Sequence, residues 1–353
     1  VDGFYDGGRD WRVRFAPDAA GEWAYEANLT GPAGRIAGDS GRFRCVPSRS
    51  RGFLRLAAAN PFRFVDAAGV PFYPIGQQFG WGVPATPGFD APDASAWVTA
   101  DRETVLAAFR GATNLIRSQL GIGSSAGVAL DLFQGTGDPW TLNLDQCRQF
   151  DEACRIVRRE GWAHIVTPLQ DMSEWYEETT VFGKTRDLKG YKNLASPMRP
   201  AVEAYLAYVV ARWGAYADIW EVFNEDSWCP DDLLRRLAVV VRVADPYRHP
   251  VTTNYDRPAE AWCDLLTPHT YQSLLPHEVP ALLTTGAAAR KSFGKPVIHT
   301  EFGNGSGRGN DDPVKWRLAA WTAFMNEEAV VFWNMSGRRI PVIHNIVNGD
   351  LID

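Results

Sequence analysis

Short runs of apolar and β-branched residues alternate with helical patterns over most of the chain after Phe53. Each run is continuous rather than alternating, which is typical of strands buried on both faces of a parallel sheet. The stretch Ile219–Trp228 shows this most clearly, because its apolar start ends abruptly in Asn224, Glu225 and Asp226. Eight such strands separated by helices predict an α/β fold, a closed (β/α)8 or TIM barrel.

The first predicted barrel strand follows a hairpin turn at Asp66–Pro71 and ends in Gly76–Trp81. The other seven strands are predicted at Asn114–Arg117, His164–Leu169, Ile219–Phe223, Val251–Asn254, Leu265–Tyr271, Pro296–Thr300 and Ala329–Trp333. Helices are predicted at Arg102–Gly111, Asp145–Glu160, Ala201–Tyr216, Asp231–Ala244, Val279–Phe293 and Pro313–Asn326. An open doubly wound sheet is the alternative fold, but neither a GxGxxG nor a GxxxxGKS/T motif follows any of these strands.

Residues 1–52 show a different pattern, in which aromatic and charged residues alternate with a period of two. Trp11 and Phe15 belong to one alternating run, and Trp23 and Phe43 mark two more. Three short strands are too few for an independent sandwich, so we expect a small all-β segment that packs on the barrel or is the remainder of a larger module. The barrel domain is expected to occupy residues 53–353.

Composition narrows the function classes. The chain has 353 residues, a net charge of −6 and a pI near 5.6, which gives no basic surface for nucleic acid. No run of 18 apolar residues indicates a membrane span. Aromatic residues make up 12% of the chain, a mild indication of sugar binding. The five cysteines fit a reducing compartment or unpaired thiols in an exported enzyme, so the compartment stays open, with export slightly favoured.

Polar residues follow the ends of five predicted strands. They are Arg117, Asn224 with Glu225, His269 with Tyr271, His299 with Glu301, and Trp333 with Asn334. In a (β/α)8 barrel the carboxyl ends of all strands face one bowl, where barrel enzymes carry their chemistry. Two carboxylates across such a bowl are the minimum for glycoside hydrolysis, because one donates a proton while the other stays ionised near the anomeric carbon.

The same residues resemble the active site of clan A glycoside hydrolases, of which family 5 cellulases and mannanases are the best-known members. Asn224-Glu225 after strand four and Glu301 after strand seven, 76 positions later, resemble the paired glutamates of that clan. The resemblance implies that Glu225 is the acid/base and Glu301 the nucleophile of a retaining, double-displacement mechanism. It implies a β-linked oligo- or polysaccharide as substrate, and no cofactor.

Further positions resemble the same clan. Arg117 resembles the strand-two arginine that holds the nucleophile, Tyr271 the strand-six tyrosine beside it, and Trp333 the strand-eight platform. The block PVIHTEFG, Pro296–Gly303, is similar to the segment around the nucleophile in several families of the clan. Asn224 is expected to bind a sugar hydroxyl next to the reacting carbon.

Other candidates have a structural interpretation as well as a functional one. Glu221 lies on the same side of strand four as Glu225 and competes for the role of acid, but the strand-end position favours Glu225. We expect His269 and His299 to support the site rather than to bind a metal. Possible aromatic subsites are Trp81, Trp175, Tyr176 and Trp228.

The resemblance extends to the N-terminal segment and also has departures. Tyr5–Tyr25 resembles part of a small β-sandwich module that precedes such barrels in bacterial members. Asp226 follows Asn224-Glu225 where the clan usually has proline, a change that concerns the loop and not the acid. The first strands of the module have no counterpart, and only Arg338–Asp353 remain after strand eight. We therefore expect a fragment or a compact member of the clan.

Two other function classes were compared with this interpretation. A metal-dependent barrel hydrolase would normally carry a His-x-His pair on strand one, which here ends in Gln77-Gln78. A catalytically silent sugar-binding relative would have lost a glutamate or its support, and both glutamates are present. The sugar, the linkage, internal or terminal cleavage and the oligomeric state stay open.

Overall fold

One sheet of eight parallel strands forms the centre of the computed structural model. Barrel strands one to eight are Ile75–Phe79, Leu115–Gln119, Ala163–Thr167, Ile219–Glu221, Val251–Thr252, His269–Tyr271, Val297–Gly303 and Glu328–Phe332. They lie in the order five, four, three, two, one, eight, seven, six, which is the circular order of the predicted (β/α)8 barrel. The structure describes residues 1–79, 110–120, 142, 144–169, 199–225, 229–254, 257–271, 275–303 and 313–332.

The helices lie close to their predicted positions with one exception. They are Leu144–Arg159, Arg199–Trp213, Asp231–Ala244, Val279–Thr284, Ala287–Lys291 and Pro313–Met325, with a 3-10 helix at Pro276–Glu278. The prediction of a single helix at Val279–Phe293 is wrong. The helix is interrupted at Thr285, which is extended, and Gly286, which has a left-handed φ of 81°. Most of the helix predicted at Arg102–Gly111 lies outside the described residues.

Two apolar layers hold the sheet. Along strand eight, Ala329 and Val331 belong to the cluster inside the barrel, whereas Val330 and Phe332 pack outward against Trp316 of the last helix. This alternation explains why the strand sequence is apolar throughout: both of its faces are covered.

Among the described helices, none combines the length and the apolar character that a membrane span needs.

Strand five meets the segment that leads into strand six through one backbone hydrogen bond, from the N–H of Asp264 to the carbonyl of Val251 at 2.8 Å, and through side chains. Thr252 Oγ1 donates a hydrogen bond to the carbonyl of Leu265 at 2.7 Å, and Asn254 Nδ2 donates to the carbonyl of Thr267 at 2.7 Å. In return, Thr267 Oγ1 donates to the carbonyl of Thr253 at 2.8 Å. We call this contact, Thr252–Asn254 against Leu265–Thr267, the seam. It closes the barrel between the two ends of the hydrogen-bonded sheet.

The N-terminal segment consists of two antiparallel hairpins, with four strands where three were expected. Gly3–Gly7 pairs with Asp10–Val13, and Gly21–Gly31 pairs with Gly34–Cys45. The first hairpin packs on the barrel through Phe4, which is 1% exposed. A third small sheet, Arg55–Leu56, Phe64–Val65 and Pro71–Phe72, contains the predicted hairpin turn and leads into the first barrel strand.

A buried cluster of charges fixes this segment to the barrel. Asp151 accepts hydrogen bonds from Arg212 at 2.8 and 3.0 Å, from Trp213 Nε1 at 2.8 Å, and from both terminal nitrogens of Arg14. Arg212, fully buried, also reaches Asp6 of the first hairpin at 3.0 Å. Asp151 is thus shared between a guanidinium from the N-terminal segment and another from the barrel, and Asp6 supplies a second negative charge.

Replacing Asp151 tests this docking. Asp151→Ala leaves Arg14 and Arg212 without their shared anion, so we expect the free energy of unfolding to fall by about 3–5 kcal/mol. The arginines hold the pKa of Asp151 below its ordinary value against the effect of burial. Native stability at this site is therefore lost as the pH falls through that depressed pKa. Urea unfolding at several pH values measures both effects.

The neighbouring Glu152→Ala is the control. Glu152 pairs with Arg155 at 2.8 Å, but both side chains are 51% exposed. Its loss should change the free energy of unfolding by less than about 1 kcal/mol. Equal effects of the two substitutions would contradict the assigned role of Asp151.

Candidate active site

Side chains from strands two, four, six and seven meet at the carboxyl end of the barrel. His269 on strand six is in register with Glu301 on strand seven, so the two side chains are neighbours. Asn224 and Glu225 follow strand four, where the backbone N–H of Asn224 donates to the carbonyl of Leu169 at 2.8 Å. The convergence expected for these strand ends is present.

Arg117 is fully buried and connects most of the site. Its Nε donates to Glu221 at 2.5 Å, and its Nη1 donates to Glu301 at 2.6 Å and to Gln78 at 3.0 Å. Its Nη2 donates to Asn224 Oδ1 at 2.6 Å. Burial lowers the pKa of Arg117, but the two carboxylates raise it above its ordinary value. Arg117 is therefore a fixed cation with four partners.

Glu301 is 3% exposed and accepts hydrogen bonds on both oxygens. Oε1 accepts from Arg117 and from Gln119 Nε2 at 2.8 Å, and Oε2 accepts from the hydroxyl of Tyr271. The pKa of Glu301 lies above its ordinary value: burial raises it most, the interactions with His269 and Arg117 lower it, the charge of Glu225 raises it, and the Tyr271 hydrogen bond lowers it. Three donors contact Glu301, one of them a guanidinium, and they favour its ionised form more than the single imidazole beside Glu225 favours that of Glu225.

Glu225 has a different environment. Its side chain is 38% exposed, and Oε1 lies 3.3 Å from Nδ1 of His269. Burial raises the pKa of Glu225, the charge of Arg117 lowers it, and that of Glu221 raises it. Its contact is an imidazole rather than a guanidinium, so this carboxyl is the better proton carrier of the pair.

The backbone of Glu225 is strained. Its φ is 54°, in the left-handed region that residues with a Cβ rarely occupy. Its backbone N–H donates to Oδ1 of Asn254 at 3.1 Å. Conformations of this kind concentrate at functional sites, where the surrounding structure holds them.

His269 lies between the two glutamates. Its Nδ1 is 3.3 Å from Glu225 Oε1 and 3.4 Å from Glu301 Oε2. Burial lowers its pKa to about 4, so the imidazole is neutral at pH 7. One ligand atom from each of the three side chains lies within 4.8 Å of the other two, a donor set that a divalent cation could use. The same limit of 4.8 Å applies to the distance between the carboxylate oxygens of Glu225 and Glu301.

Glu221 and His299 are in the supporting structure. Glu221, fully buried, accepts from Arg117, Thr167 and Thr300, so it cannot reach a substrate as the competing acid. His299 contacts Thr270 at 2.9 Å and Glu328 at 3.0 Å. It is 2% exposed and supports strands six, seven and eight.

Two contacts of the site were missed by the sequence interpretation. Gln119 donates to both Glu301 and Asn224 Oδ1, at 2.8 and 2.9 Å. Its position two residues after Arg117, on the same face of strand two, was a usable signal. Asn254 follows strand five and had no comparable signal.

Four expected tryptophans, Trp81, Trp175, Trp228 and Trp333, lie outside the described residues.

Comparison with known proteins identifies one sequence family for part of the chain. Residues 1–30 match the family described as a domain of unknown function, DUF5060. No curated protein sequence matches the chain.

Solved structures share the fold over most or all of the chain. A protein of Bacteroides vulgatus ATCC 8482, provisionally described as a glycoside hydrolase, has a TM-score of 0.71 at 20% identity, covering 100% of this chain and 69% of that one. The exo-β-1,4-mannosidase of Opitutaceae bacterium strain TAV5 has a TM-score of 0.57 at 15% identity, covering 79% of this chain.

A glycoside hydrolase family 5 protein of Bacteroides vulgatus has a TM-score of 0.54 at 15% identity over 81% of this chain. The chain spans 54% of the mannosidase and 63% of this family 5 protein, less than two thirds of either. At these identities the likeness establishes the barrel fold alone.

Glycine at position 225 tests the backbone strain. Glu225→Gly removes the Cβ that disfavours a left-handed φ, whereas Glu225→Ala keeps it. We expect Glu225→Gly to be more stable than Glu225→Ala by about 1 kcal/mol in urea unfolding, even though glycine makes the unfolded chain more flexible. A greater stability of the alanine variant would contradict a strained Glu225.

Proposed function

We propose that this protein is a retaining glycoside hydrolase that cleaves β-linked oligo- or polysaccharides, with Glu301 as nucleophile and Glu225 as acid/base. The observation that carries the proposal is the pair of glutamates. Their carboxylate oxygens lie within 4.8 Å of each other, and Glu301 contacts a guanidinium whereas Glu225 contacts an imidazole. Retaining enzymes hold their two carboxyl groups about 5–5.5 Å apart, whereas inverting enzymes leave about 6.5–9.5 Å for a water.

In the first step, Glu301 Oε attacks the anomeric carbon while the bond from that carbon to the glycosidic oxygen breaks. Glu225 gives its proton to the departing oxygen, so the leaving sugar departs neutral and Glu225 becomes a carboxylate. In the second step, Glu225 takes a proton from a water whose oxygen displaces Glu301. The two inversions retain the anomeric configuration and return both glutamates to their starting states.

Other contacts fit these roles. The Asn224 oxygen accepts from Arg117 and Gln119, which fixes the side chain beside Glu301 where a substrate hydroxyl would bind. Arg117 and Tyr271 favour the ionised form of Glu301. The likeness to barrels named as glycosidases agrees with the proposal. As further proposals, aromatic subsites would be Trp333, Trp81, Trp175 and Trp228.

A nucleophile variant tests the mechanism. Glu301→Gln keeps the shape of the side chain and an acceptor oxygen but removes the attacking carboxylate, so kcat/KM should fall by roughly 10⁴-fold or more. The substrates are aryl β-glycosides of glucose, mannose, galactose and xylose, their β-disaccharide counterparts, and plant and microbial polysaccharides. An unchanged circular dichroism spectrum controls for folding.

Product configuration and metal dependence complete this test. Proton NMR of the first product should show the β anomer, and a chelator should leave the rate unchanged. Full activity of Glu301→Gln, or an α product, would refute the assignment. Binding of these sugars without turnover would favour a catalytically silent sugar-binding protein.

The pH profile tests the acid separately. Burial raises the pKa of Glu225, so its acid form should persist above the usual range of glutamate and be lost as the pH rises. The alkaline fall of kcat/KM should therefore be present for phenyl glycosides and weak or absent for 2,4-dinitrophenyl glycosides of the same sugar, whose leaving group needs no proton. An equal alkaline fall on both substrates would assign that limb to another group.

A further inference from the structure

We propose that Asn254 is a positioning residue for the acid/base: it holds the Glu225 backbone in its left-handed conformation and thereby places the proton donor. The inference rests on the proposed function. Asn254 lies two residues beyond strand five and is fully buried. It is the only contact of the Glu225 backbone N–H found among the described residues.

Three hydrogen bonds fix Asn254 itself. Its backbone N–H donates to the carbonyl of Phe223 at 3.0 Å, and its Oδ1 accepts from Glu225 N at 3.1 Å. Its Nδ2 donates to the carbonyl of Thr267 at 2.7 Å. A donor toward Thr267 and an acceptor toward Glu225 are both required, and a side-chain amide supplies both in one fixed orientation.

The strain at Glu225 explains why an anchor is needed. A left-handed backbone costs a residue with a Cβ about 1–2 kcal/mol, so the conformation persists only where neighbours hold it. Proline at position 226 would push the preceding residue toward an extended backbone. Asp226 stands there instead and leaves the left-handed conformation accessible. The buried amide of Asn254 then selects that conformation.

Asn254 also connects the acid to its imidazole partner. Thr267, which accepts the Nδ2 bond, lies two residues before His269. His269 Nδ1 in turn contacts the Glu225 carboxylate at 3.3 Å. One side chain therefore sets the distance between the backbone that carries the acid and the strand that carries the imidazole.

Dependence on the leaving group separates proton donation from general damage. In the first step, a phenyl glycoside needs the proton of Glu225, whereas a 2,4-dinitrophenyl glycoside of the same sugar does not. We expect Asn254→Ala to lower kcat/KM for the phenyl substrate by about 10- to 100-fold and for the dinitrophenyl substrate by less than about threefold. Both kcat/KM values are measured on the same preparation of each variant, so their ratio does not depend on the fraction of the protein that is folded.

Two further variants define the effect. Thr252→Val removes the seam bond to Leu265 at 2.7 Å but leaves Asn254 in place, so it should lower both rates equally or not at all. Asn254→Asp keeps an acceptor for the Glu225 N–H. Its selective loss of kcat/KM on the phenyl substrate should therefore be smaller than that of Asn254→Ala. It also provides a readout if the alanine variant does not fold.

The outcomes distinguish this inference from the proposed function. Equal losses on both substrates in the Asn254 variants, or the same selective loss in Thr252→Val, would overturn the positioning role while leaving the glycosidase assignment intact. Turnover of the phenyl substrate unaffected by Glu225→Gln or Glu301→Gln, or no turnover by the unaltered protein, would overturn both.

Discussion

Moving a guanidinium out of water is costly unless anions and hydrogen-bond acceptors surround it. Arg117 meets this condition at the centre of the barrel: Glu221 and Glu301 supply charge, and Gln78 and Asn224 supply neutral oxygens. The arrangement couples strands one, two, four and seven, because Gln78 comes from strand one, Glu221 and Asn224 from strand four and its end, and Glu301 from strand seven. The carboxylate of Glu301 is held at the carboxyl end of the barrel because it neutralises a buried cation.

A second buried charge cluster shows that burial and pairing alone do not identify a reactive site. Asp151 with Arg14 and Arg212 is as enclosed as the Arg117 group, yet it lies between helices and joins the N-terminal segment to the barrel. What distinguishes the Arg117 group is its neighbour Glu225, a strained and partly exposed carboxyl whose position makes the charge accessible to a ligand.

Much of the barrel was predictable because strands buried on both faces produce continuous apolar runs, and strand ends produce polar residues. Arg117, Glu225, Tyr271 and Glu301 were identified in this way. The side of a strand on which each side chain lies was harder to predict. Strict alternation would place His299 and Glu301 on one side, but a register irregularity between His299 and Phe302 lets both Thr300 and Glu301 reach Arg117 and its partner Glu221. Asn254 could not be predicted, because a single asparagine beyond a short strand has many ordinary uses.

The seam gives the barrel an uneven resistance to opening. The other neighbouring strands share backbone ladders, while strand five meets the segment before strand six through one backbone hydrogen bond and a few hydroxyl and amide contacts. On warming, local unfolding should therefore begin at the seam. It would release the Glu225 backbone while Arg117 is still hydrogen-bonded to Glu301. Under the proposed mechanism, warming would then stop proton donation by Glu225 before the sheet unfolds.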